Sequence, residues 1–222
     1  MSEQMGYSRF RKVPKQLSDY IAQRLVAGVA DAMEVNIWGG DKTNSGEFDG
    51  FSTRLAVDAN LPSAQEITGT TVTADNVVDE IGSVIDALPD RVYTSGQPML
   101  YVPINVAKAY VRALGGFGAS GLGANGVDAK GTQWYNNQGL NFDGVPLFVP
   151  QGLAANTMIS TYKENMWFGC GEIGNNSEVK IIDMADIDGS KNFRFIMNLS
   201  GDANYGVVED IVTYGISNAP NS

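Results

Sequence analysis

The sequence predicts an α+β protein in which helices pack on a central sheet. Three observations carry this. A long stretch of helical period opens the chain at Lys15 to Trp38. Helix, strand and helix then follow one another through residues 73–114. From Thr132 onward the chain is mostly β-patterned.

In the first stretch Leu17, Ile21, Leu25, Val29 and Ala32 recur at three- and four-residue steps, which puts them on one side of a helix. About 24 residues rising 1.5 Å each give a rod of roughly 36 Å. Pro14 suits the position before the first turn, and Gly39-Gly40 suit the stop. The charges Asp19, Arg24, Asp31 and Glu34 exclude a membrane span. The apolar face is expected to be buried. The following segment, Asp41 to Asn60, begins with turn residues, and Phe51 to Val57 reads as a short strand. Its acids Asp41, Glu47 and Asp49 lack the spacing of an EF-hand loop, so a solvated turn is the reading preferred over a calcium site.

Thr73 to Leu88 reads as a second helix with Thr73 at the N-cap and Asp75 and Asp79 near its positive end. Val77, Val78, Ile81, Val84, Ile85 and Leu88 are its expected buried face, and Pro89 follows the stop. Met99 to Val102 is an apolar run fit for a buried strand. A third helix is predicted over Asn105 to Leu114, ended by Gly115-Gly116. In the β-rich remainder, Asp143-Gly144 between Leu140 to Phe142 and Val145 to Val149 signals a hairpin. Thr157 to Tyr162 is another strand, and Lys163 to Phe168 a helical turn or its continuation. Glu178 to Asp183 and Asn192 to Leu199 alternate as a strand pair. Met184 to Lys191 joins them, with Asp186, Asp188 and Gly189 at the tip, and a polar connection is preferred there over a metal site. Val207 to Tyr214 reads as the last strand.

Composition narrows the function. The net charge is −10, which argues against a basic nucleic-acid-binding face. There is no histidine, so the commonest general base and the usual zinc ligand are missing. The single cysteine, Cys170 in Trp167-Phe168-Gly169-Cys170-Gly171, can form no disulfide within the chain. With no histidine to activate it, it is expected to be a small buried hydrophobe. No signal peptide is visible at Met1 to Val13.

Gly115 to Gly131 contains two overlapping dinucleotide-type patterns, Gly116-x-Gly118-x-x-Gly121 and Gly121-x-Gly123-x-x-Gly126. A dinucleotide site needs a strand before the glycines and a helix after them. Here a helix precedes and no amphipathic helix follows, so a long flexible loop is expected instead, of a length that is usually functional or disordered.

Four stretches together resemble a known family. They are Glu34-Val35-Asn36-Ile37-Trp38-Gly39-Gly40-Asp41 running on to Phe48-Asp49-Gly50-Phe51, then Leu100-Tyr101-Val102-Pro103-Ile104-Asn105-Val106-Ala107. Next come Phe142-Asp143-Gly144-Val145-Pro146-Leu147 with Ile159 to Phe168, and finally Val179 to Phe195 closing on Tyr205-Gly206-Val207. In order and spacing the chain, from Leu17 to Gly215, resembles the C-terminal part of a tailed-phage major capsid protein of the Hong Kong 97 type.

The resemblance implies a spine helix with a first peripheral part at 7–60 and an axial domain at 61–156. It further implies a return through the peripheral domain at 157–206 and a final axial strand at 207–216. It implies no enzymatic activity and no cofactor. The partners it implies are copies of the chain itself in hexamers and pentamers, with portal, scaffold or decoration proteins besides. The shell would enclose DNA without reading its sequence, and no membrane is involved. Synthesis would be in the host bacterial cytoplasm and the final location the virion capsid.

Two interfaces follow from the same likeness. One is at an axial loop, with Gly116, Phe117, Gly121, Leu122, Val127 and Lys130. The other is at a peripheral loop, with Asp186, Asp188, Gly189 and Lys191. Family members carry an N-terminal arm and an extended loop ahead of the spine helix, whereas 14 residues precede Lys15 here. A shortened, processed or split-gene form is therefore expected, and no crosslinking residue is assigned. The alternatives are a bacterial nanocompartment shell protein of the same fold, or a nucleotide-binding enzyme using the Gly-rich loop.

Overall fold

A computed structural model describes residues 15–95, 97–115, 140–171, 179–184, 187, 189, 193–197 and 200–216. The chain divides into two compact units, residues 34–169 with 201–222 and residues 1–33 with 170–200.

The first of these units is built on a six-stranded mixed sheet. Its strands are β1 (Glu66–Ile67), β2 (Pro98–Tyr101), β3 (Asn141–Phe142), β4 (Val145–Phe148), β5 (Met158–Tyr162) and β10 (Val212–Tyr214). They lie in the order β1-β10-β5-β2-β4-β3. β1 runs parallel to β10 and β2 parallel to β4; the other neighbours are antiparallel.

Side chains alternate between two cores, as the period of a strand requires. Leu100, Met158, Val212 and Tyr214 join α3 (Val77–Asp86) and α5 (Ile104–Gly115) on one face. Tyr101, Ile159 and Ile211 join Trp38 and α2 (Phe51–Val57) on the other. Both faces are thus covered, and Met158 through Thr161 are fully buried.

Phe51–Val57 is a helix and not the strand its sequence suggests. Phe51 and Leu55 are buried four residues apart, which fits either period. A half-buried strand would also turn Val57 inward, but Val57 is 55% exposed. Gly50, in extended backbone, precedes the first turn. A Cβ on Gly50 would come within 2.5 Å of the Asn36 carbonyl oxygen, so this crossing of the loop over the end of α1 (Lys15–Gly39) tolerates only glycine. The Gly50 N–H donates to the Gly40 carbonyl at 2.9 Å and locks it.

The second helix starts at Val77, four residues later than Thr73. The Asn76 side chain takes a hydrogen bond from the Thr73 N–H at 2.7 Å, turning residues 73–76 into a separate turn. Val78, expected inside, is 43% exposed. Beyond Pro89 a short helix not foreseen, α4 (Asp90–Ser95), begins. The Val92 and Tyr93 N–H groups donate to the Pro89 carbonyl, so Pro89 opens a helix as well as closing one. Asp143-Gly144 does form the expected tight hairpin, with positive φ at both residues. The C-terminal reading divides into strand β9 (Gly201–Tyr205), a 3₁₀ turn at Val208–Asp210, and β10. Met166–Cys170, β6, pairs with β9.

Asn165 is the polar pin of this region. Its Oδ1 accepts from the Gly206 and Val207 N–H groups at 3.1 and 2.7 Å, and its Nδ2 donates to Thr161 Oγ1 and the Val207 carbonyl at 3.0 and 2.8 Å. The residue is buried with both ends of its amide satisfied.

The other unit holds α1 as far as Met33 and the antiparallel pair β7 (Val179–Asp183) and β8 (Phe193–Met197), in the register Val179↔Met197, Ile181↔Phe195 and Asp183↔Phe193. The expected burial of the α1 stripe is not met. Leu25 is 41% exposed and Ala32 is exposed, while Val29 is half-buried. The side chains of Leu17 and Ile21 lie outside the described residues. Among the described residues of this unit, no core covers the face that the apolar period creates.

Candidate subunit interface

No group of three or more His, Cys, Asp or Glu side chains among the described residues is placed to hold a metal ion. The acids of the Asp41–Asp49 turn are occupied locally. Glu47 accepts from the Asp41 N–H and the Asn44 side chain, both at 3.1 Å, and Asp49 pairs with Lys42 at 2.9 Å. Lys42 also holds the Asp49 carboxyl below its usual pKa, through its side-chain hydrogen bond first. Cys170 is exposed, against the expectation of a buried hydrophobe. It ends an edge pair whose outer residues point to solvent.

A second polar cluster ties α2 to β9. Arg54 donates to both Asp202 oxygens at 2.7 and 2.9 Å, and the Tyr205 hydroxyl donates to Asp58 at 2.7 Å. That last bond is the chief reason the Asp58 carboxyl titrates low. Burial first, and Asp58 second, push the Tyr205 phenol up. These bonds fix the fold and present no reacting group.

Several large apolar side chains also remain exposed. Helix α5 buries Val106, Ala109 and Tyr110 against the sheet, and the Tyr110 hydroxyl donates to the Asn141 carbonyl at 2.8 Å. Its opposite side, with Ile104 57% exposed, forms an open hollow of about 560 Å³ with Ala107, Val111, Leu140 and Val149. Lys108 and Arg112 stand in its wall. Neither has an ion-pair partner among the described residues. On α3, Val78 is exposed beside Asp75 and Asp79, which are likewise unpaired there. On β6, Trp167 is 65% exposed, and Phe168 stacks on Phe48 with ring centroids 6.1 Å apart. Surfaces of this kind suit protein contact.

The axial-loop residues Gly116, Phe117, Gly121, Leu122, Val127 and Lys130 lie outside the described residues, as do Asp186, Asp188 and Lys191. Gly189 is described, exposed and at φ +73°. Ile187, two residues before it, is 66% exposed. The hollow on α5 was not foreseen. Its one sequence signal is Lys108 and Arg112, like charges four residues apart with no acid between them on that face.

Neither a protein family nor a curated protein matches the chain in sequence. Solved structures do match in fold. A chain from Mycobacterium phage Che8 aligns with a TM-score of 0.55 at 12% identity, over 90% of this chain and 63% of its own length. A chain from the satellite phage P4 procapsid, solved with its size determination (Sid) protein, aligns with a TM-score of 0.58 at 10% identity over 93% of this chain and 66% of its own. The chain has a capsid-like fold. It spans slightly under two-thirds of each phage chain it matches. Among the described residues, no helix is long and apolar enough to cross a membrane.

Proposed function

We propose that the chain is a structural subunit of a tailed-phage capsid, of the Hong Kong 97 type, that associates with its own copies into hexamers and pentamers around the DNA genome. The observation that carries this is the alignment of 93% of the chain with a procapsid chain. The exposed apolar surfaces on α3, α5 and β6 support it, because a subunit of a shell must cover such surfaces with its neighbours.

On this reading residues 61–156 with 207–216 form the axial domain. Gly116, Phe117, Gly121, Leu122, Val127 and Lys130 meet neighbouring copies around the ring centre. Residues 7–60 and 157–206 form the periphery, and Asp186, Asp188, Gly189 and Lys191 lie where rings of subunits adjoin. The role is structural and not catalytic, in the virion, after synthesis in the bacterial host. Portal, scaffold or decoration proteins are its further partners. The net charge of −10 suits a wall that holds DNA without adhering to it. Expression of the full-length gene followed by electron microscopy tests the proposal. Closed particles or six- and five-membered rings are expected, and a protein that stays dispersed at every concentration refutes it.

A further inference from the structure

The hollow on α5 and the outer face of α3 are complementary. The hollow is apolar at Ile104, Val111 and Leu140 and carries two cations, Lys108 and Arg112, that have no ion-pair partner among the described residues. The chain is poor in cations, with 15 against 25 acids. Two placed four residues apart on one helix face repel each other and weaken the isolated helix. The outer face of α3 and the turn before it offer the counterpart: a projecting apolar side chain, Val78, with Asp79 beside it on the helix and Asp75 in the turn, both acids unpaired among the described residues.

Helices α3 and α5 pack on one another, and α3 also meets β10 and β5, where Glu80 accepts the Tyr214 hydroxyl at 2.8 Å. Even so, among the described residues neither Asp75 nor Asp79 pairs with Lys108 or Arg112 within the chain. A projecting side chain on one helix and a hollow on another, left unmatched within the subunit, describe a head-to-tail contact with the next copy, which closes into a ring when the rotation allows.

We infer that Val78 of one copy seats in the α5 hollow of the next, with Asp75 and Asp79 facing Lys108 and Arg112. The inference rests on the shell-forming reading above and names the contact between adjacent subunits of a ring.

Two charge-reversed variants test it, Lys108→Glu/Arg112→Glu and Asp75→Lys/Asp79→Lys. All four side chains are exposed, so thermal melts should match the wild type. Each variant alone sets like charge against like, and its self-association in sedimentation velocity at low salt should fall by about tenfold or more. Mixed in equal amounts, the variants fit one another in alternation and assembly should return. It should return only as rings with an even number of subunits, because an alternating ring cannot close on an odd number. Variants that assemble as the wild type does, or a mixture no better than either alone, overturn this contact and leave the shell reading standing. A wild-type chain that stays monomeric under the same conditions overturns both.

Discussion

The two units of this chain differ in whether a core stands behind their apolar residues. In residues 34–169 with 201–216 both faces of the sheet carry a core, with Leu100, Met158, Ile159, Ile211 and Tyr214 among the most enclosed, while Val78, Ile104, Phe148 and Trp167 stay exposed at its margins. In residues 15–33, the β7–β8 pair and the connection between its strands, Tyr20, Leu25, Val26, Ile187 and Ile196 are exposed. Both units have regular secondary structure with a clear apolar period. The difference teaches that amphipathic periodicity specifies an element and the face it presents, while the partner of that face is a separate matter. One unit supplies its own partners.

This contrast can be broken by substitution. The largest effect is expected from Leu100→Ala, which empties a fully buried site between the sheet and α3; it should cost about 2–5 kcal/mol in urea unfolding. Asn165→Ala should follow at about 1–3 kcal/mol, because it removes the acceptor of the Val207 N–H and the bonds donated to Thr161 Oγ1 and the Val207 carbonyl, while the Gly206 N–H keeps the Asn165 carbonyl. Leu25→Ala in the exposed stripe should change the stability of the dispersed chain by no more than about 0.5 kcal/mol. A loss above about 2 kcal/mol would show that the stripe is covered and would erase the contrast.

The smallest effect is one of pH. The Asp58 carboxyl titrates below its ordinary 3.8, chiefly through the Tyr205 hydrogen bond. A depressed carboxylate contributes stability that is present above the unfolded value and lost as pH falls through the folded one. Tyr205→Phe should therefore make the loss of stability below about pH 4 shallower. The same variant removes a phenol whose pKa is raised, so it should also lessen the loss of stability above about pH 10. An unchanged acid limb in thermal melts would place the coupling elsewhere.

The elements legible in sequence were those in which one signal stood alone. The period of α1 runs over many turns, Asp143-Gly144 admits little but a tight hairpin, and β7 and β8 are short apolar runs, each with a charged residue at its second position, on either side of a connection rich in Asp. Phe51–Val57 misled because buried residues four apart satisfy both periods, and only the exposure of Val57 separates them. Strand β9, Gly201–Tyr205, has no β-branched residue; it is a strand because β6 lies beside it, with Ala203 turned inward. The α5 hollow was beyond sequence reading for a similar reason. Lys108 and Arg112 are visible in the sequence, but Leu140 and Val149 reach α5 only once β3 and β4 have joined the sheet.

The place of β10 within that sheet sets a timetable. Strand β10 lies between β1 and β5, and Glu66 pairs with Thr213, far along the chain. At roughly 5–20 residues per second a ribosome needs about 7–30 s to get from one partner to the other. Through that interval β1 has no neighbour and one edge of β5 stands open, the state most prone to wrong pairing. The nascent chain thus cannot complete the layer that carries α3 and α5 until its last strand emerges. If the chain assembles as proposed above, association between neighbours through that layer is deferred until translation of the sheet is finished, and half-made subunits stay out of the assembly.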